Sequence, residues 1–62
     1  MKVRAIIKLI EDDGWEHVAT RGSHRQYRHP AKPGKVTVPG KPSRDLPRSL
    51  QASILRQAGL TR

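Results

Sequence analysis

Apolar residues in this chain recur at helical spacing near both ends and at strand spacing in between. That switch of period restricts the fold more than any other feature. Val3, Ile6, Ile7 and Ile10 follow the i, i+3, i+4, i+7 pattern of a helix with one buried face. Gly14 suits the left-handed conformation that ends a helix, so the first helix is predicted over about residues 2–13. Trp15 to Thr20 is rich in strand formers, Arg21-Gly22-Ser23 reads as a turn, and His24 to His29 is a second short strand ended by Pro30. A loop from Pro30 to Gly34 leads to Lys35-Val36-Thr37-Val38, a third strand stopped by Pro39-Gly40. Asp45 or Ser49 is the expected cap of a second helix, with Pro47 in its first turn. Leu50, Ile54 and Ala58 repeat along that helix before Gly59 and Leu60 close it. The expectation is an α+β domain of order α-β-β-β-α spanning residues 1–62. Its three-stranded antiparallel sheet is covered on one face by both helices, because so small a sheet is not stable alone.

A 62-residue chain buries only about 60% of the surface it exposes when unfolded. No deep substrate pocket is expected, and any chemistry must sit on an open surface against a large partner. The chain has no cysteine, which removes disulfides, thiolate metal sites and thiol nucleophiles together. Neither a signal peptide nor a membrane span is expected, and the expected location is the cytoplasm.

Charge narrows the partner. Thirteen Lys and Arg against five Asp and Glu give a formal +8 and a pI near 11.3, the electrostatic footprint of nucleic-acid binding. Between Glu16 and Asp45 lie seven Lys or Arg, three His and no acid. Apolar residues at strand spacing punctuate this stretch, which argues against a disordered basic tail.

Metal-free cleavage of RNA needs a base for the ribose 2′-OH, cationic donors for the phosphorane and an acid for the leaving oxygen. Histidine suits the proton transfers because both of its forms are accessible near neutrality, and Arg and Lys suit the phosphate. His24 follows Gly22-Ser23 at the lip of a strand, with Arg21, Arg25 and Arg28 around it in sequence. It reads either as a general base or acid beside phosphate-binding charge, or as a polar residue on a solvated sheet face. If the first hairpin pairs Thr20 with Ser23, His17 and His24 become diagonal neighbours on one face. His17 is then a possible second acid or base, against the plainer reading of a surface spacer. His29 falls on the opposite side of its strand from His24. The three histidines match no zinc spacing and no metal site is expected. Trp15 and Tyr27, the only aromatics, read as core rather than as base-stacking platforms. Lys32, Lys35, Lys41 and Arg44 read as phosphate contacts or as solubilising charge.

The run Arg21-Gly22-Ser23-His24-Arg25-Gln26-Tyr27-Arg28-His29-Pro30, followed by Val36-Thr37-Val38-Pro39 and by Ile54-Leu55-Arg56-Gln57-Ala58-Gly59-Leu60, resembles the HicA toxin family. The opening helix with Asp13-Gly14-Trp15 fits the same pattern, so the resemblance covers nearly the whole chain. It implies a fold like that of double-stranded-RNA-binding domains, and mRNA interferase activity without a cofactor. It also implies that His24 is the essential catalytic residue; the charge pattern read above makes Arg21, Arg25, Arg28, Lys35 and Lys41 the expected RNA-binding set. The implied partner is a HicB-type antitoxin, with operator DNA reached only through the complex. Two departures stand out: Gly40 and Lys41 lie where many members have a further histidine, and Ser49-Leu50-Gln51 replaces a Gly-Thr-Leu opening to the second helix. A non-catalytic RNA-binding module and a DNA-contacting adaptor remain as other readings.

Overall fold

The computed structural model describes residues 1–60; residues 61 and 62, the end of the expected domain, lie outside the described residues. The elements are α1 (Val3–Asp12), β1 (Glu16–Arg21), β2 (His24–Arg28), β3 (Val36–Val38) and α2 (Arg48–Gln57). The sheet is antiparallel with strand order β1-β2-β3. Order and topology are those expected, and each predicted element lies within about two residues of its predicted bounds.

Both helices pack on one face of the sheet. Val3, Ile6 and Ile10 from α1, Ile54 from α2 and Ala58 just after it meet Trp15, Tyr27, Val36, Val38 and Leu46 in one buried cluster. Each large side chain removed from water here contributes about 1.5–3 kcal/mol. Trp15 and Tyr27 are each 2% exposed, so both aromatics are core. The Trp15 indole N–H donates to the Ala58 carbonyl at 3.2 Å, which satisfies its one polar atom and ties the start of β1 to the end of α2.

Both helices end in the same way. Trp15 N–H donates to Ile10 O and Gly14 N–H to Glu11 O; Leu60 N–H donates to Leu55 O and Gly59 N–H to Arg56 O. This is the paired bonding of the Schellman motif, which turns the chain through a left-handed residue. At Gly14, with φ of 106°, a Cβ would also stand 2.6 Å from His29 Nε2, so glycine is required twice over.

The helix starts differ from expectation. Pro47 occupies the N-cap position of α2, and neither helix has a side-chain cap. Asp45 instead pairs with Lys2 at 3.3 Å, and Ser49 lies inside the first turn of α2. The open N–H groups of α1 are met by the loop before α2: Val3 N–H donates to Arg44 O at 2.8 Å and Arg4 N–H to Pro42 O at 3.0 Å. Those bonds lay residues 41–46 along the start of α1 and fix where Lys41 sits.

Candidate nucleic-acid interface

The first hairpin closes with a two-residue loop. Arg21 pairs directly with His24, Thr20 with Arg25, and Ala19 with Gln26. Gly22 has φ of 58° and no described non-glycine residue has positive φ, the pattern of a type II′ turn, which matches strand twist. Arg25 and Tyr27 lie opposite Val38 and Val36 on the helix-covered face. Alternation therefore turns Arg21, His24, Gln26 and Arg28 to the open face. There His24 is exposed, and no side-chain hydrogen bond engages it among the described residues.

The expected pairing of Thr20 with Ser23 does not form. The decisive difference lies further along β1, where a bulge falls between His17 and Ala19, leaving Val18 as the extra residue. One inserted residue reverses the parity of everything before it. His17 thus pairs with Tyr27 rather than joining the row of His24. Its ring lies 5.4 Å from the Tyr27 ring, and its Nε2 shares a 2.6 Å hydrogen bond with Thr20 Oγ1. The diagonal His17–His24 pair is absent, because the two imidazoles belong to opposite faces.

His29 is a structural residue. Its Nδ1 accepts the Ala31 and Lys32 N–H groups at 2.9 and 3.2 Å, which leaves Nε2 to carry a hydrogen and donate to Asp13 O at 2.7 Å. The ring stands edge-on to Trp15 at 5.3 Å. Among the described residues no three His, Asp or Glu side chains converge.

The cations divide into separate groups. Arg21 stands beside His24 across the hairpin. Arg28 shares that face but lies four residues along, about 13 Å at the usual strand rise. Lys35, exposed just before β3, lies at the Arg28 end of the sheet. Arg25 faces the other way and joins Lys41 at an open cleft of about 310 Å³, bounded by Thr20, Gly22 and Ser23 on the hairpin and by Gly40 on the loop after β3. Lys32, expected on phosphate, is instead bonded to the Asp13 carboxylate and donates to Ala58 O at 3.2 Å. The Lys32 hydrogen bond, helped by the Lys32 charge, holds the Asp13 carboxyl below its usual range despite desolvation acting the other way. Burial raises the Tyr27 phenol, with Glu11 adding to the effect and Arg25 opposing it. Sequence reasoning missed the cleft, since Thr20 and Gly40 carry no motif and meet only through the loop's bonds to α1.

Fold and surface together define a small, strongly basic α+β domain that offers an imidazole and a guanidinium on an uncovered sheet. The family model described as HicA toxin of bacterial toxin–antitoxin systems matches residues 3–60, and the chain belongs to that family. No curated protein matches the chain. No described helix is long and apolar enough to cross a membrane.

Proposed function

We propose that this toxin-family chain is an mRNA interferase, an endoribonuclease that works without a metal, and that His24 is its catalytic residue. The observation that supports this best is the direct pairing of Arg21 with His24 on the open sheet face. A proton acceptor and a cationic residue stand on directly paired strand positions there rather than on a disordered tail. In the proposed step the neutral His24 imidazole takes the proton of a ribose 2′-OH. The O2′–P bond forms as the P–O5′ bond breaks, Arg21 stabilises the charge on the phosphorane, and the leaving 5′ oxygen takes a proton from solvent. The products are a 2′,3′-cyclic phosphate and a 5′-OH end. Proton transfer by a positioned imidazole accounts for about 10²–10⁴-fold of rate. The remainder comes from charge stabilisation at phosphorus.

The proposed partner is a HicB-type antitoxin, whose acidic side chains laid over the His24 face would both neutralise a +8 chain and block the site. Operator DNA is contacted only through that complex, and the site of action is the cytoplasm. The test is expression of the chain and of His24→Ala in a bacterial host, following growth and transcript integrity, with RNA affinity measured on purified protein. The variant is expected to lose toxicity and cleavage while keeping affinity. Toxicity undiminished in the variant, or 3′-OH ends on the products, would refute the proposal.

A further inference from the structure

We propose that Gln26 reads one of the two bases flanking the cleaved bond, and that the base it selects is adenine. This rests on the reading of His24 as the cleaving residue, and gives that site a sequence preference.

The placement follows from strand register. Gln26 sits on the middle strand of the sheet, directly opposite Ala19 on β1 and Thr37 on β3. It is two residues from His24, about 6.8 Å along the strand, and alternation puts both side chains on the open face. A nucleotide held at the imidazole therefore brings a flanking base to the amide. The neighbours leave room for that base. Ala19 and Thr37 are short, and the bulge after His17 carries the His17 ring off this face. Gln26 is half-buried, and no side-chain hydrogen bond engages its amide among the described residues. Gln57 differs: its amide oxygen accepts Thr37 N–H at 3.4 Å and its nitrogen donates to Ser53 Oγ at 3.3 Å.

The chemistry of that amide suits a base rather than a phosphate. Arg21 and Arg28 on the same face suit phosphates, contacts that position a strand but carry no sequence information. Glu16, directly opposite Arg28, closes the cationic row at that end. Gln26 instead holds a hydrogen-bond donor and an acceptor side by side on one neutral plane. That pair matches adenine, whose N6 donates and whose N7 accepts, and a side-chain amide is the usual partner of those two atoms. The Thr37 hydroxyl can meet either kind of group and so does not discriminate.

The experiment treats a pool of RNAs of random sequence with the wild-type chain and its variants, and sequences the new 5′-OH ends. Adenine is expected at one flanking position about tenfold or more above its share of the pool, the discrimination one bidentate pair supplies. Gln26→Ala should remove that enrichment while sites without adenine are cut as before. Gln26→Glu keeps the shape but only accepts, so it should move the preference to cytosine, whose N4 donates; a merely structural role would not redirect the choice of base. Ala19→Leu, which fills the space beside the amide, should lower the enrichment with Gln26 intact, and melting curves establish that all variants fold. Flanking positions with no preference, a preference for another base, or an adenine preference that survives Gln26→Ala would each overturn the inference. Gln26 variants that weaken only the antitoxin complex would assign the residue to protein instead. If the wild-type chain cleaves no RNA, the nuclease reading fails and binding decides the base reading. Oligoadenylate should then bind at least about tenfold tighter than oligouridylate, and about equally after Gln26→Ala; equal binding of both by the wild-type chain would overturn the base reading as well.

Discussion

Arg21 and His24 stand directly opposite each other across the first hairpin, separated in sequence only by Gly22 and Ser23. Among the described residues no side-chain hydrogen bond or ion pair engages either residue; the register of the turn sets the pair. Arg21 and His24 thereby leave the same face at the end of two paired strands, while Thr20 faces the other way.

Arg21→Ala is expected to reduce kcat by about 10²–10³, the loss seen when one donor to a developing oxyanion is removed. Arg21→Lys should recover part of it, since an ammonium keeps the charge but not the planar fork. Single-turnover cleavage under saturating protein separates this loss from weaker binding. An unchanged kcat with a raised KM would reassign Arg21 to substrate binding alone.

Gly14→Ala and Gly22→Ala are expected to differ in stability although both replace a left-handed glycine. At Gly22 the added methyl meets open space, so only the backbone cost of about 1–2 kcal/mol applies. At Gly14 the methyl would also displace His29 from Asp13 O, adding about 0.5–1.5 kcal/mol for a lost, half-buried hydrogen bond. Urea melts of the two variants test the ranking, and equal midpoints would show that His29 moves aside freely.

The Asp13–Lys32 pair predicts the acid side of the stability profile. Lys32 depresses the folded-state carboxyl below its ordinary 3.8, so the unfolded chain binds the proton first as pH falls. The stabilisation is complete above the ordinary carboxylate range and is lost as pH drops through that range toward the folded value. Asp13→Asn should lower stability near neutrality and flatten the acid limb in urea melts between about pH 6 and pH 2, a range that spans ordinary carboxylate titration. A variant with the parent's acid limb would show that other carboxylates set it.

Much of the fold was legible because it depends on local chemistry. The Ile6 and Ile10 stripe, the Gly14 and Gly59 stops and the Gly22 turn each follow from residues within a turn or two of one another. The exposure of His24 beside Arg21 was also within reach, since both lie next to a turn that glycine specifies. The His17 assignment failed at one residue. Val18 is β-branched and 53% exposed, and nothing in the neighbouring sequence marks it as a bulge. The bulge falls between Trp15, whose indole is bonded to the Ala58 carbonyl, and Ala19, which pairs with Gln26, so it lies between contacts to two other parts of the chain.

Local propensity by itself determined which segments are helix and which are strand, which residues turn inward, and that the middle of the chain is basic. Tertiary structure alone decided how the charges are shared out. Lys32 was withdrawn to Asp13, His29 was locked under Trp15, and Lys41 was brought across from Arg25 by bonds between its loop and α1. Propensities act over a few residues and can be read along the chain. The partners of these side chains lie 14 or more residues away, and which of them meet depends on packing that no short window contains.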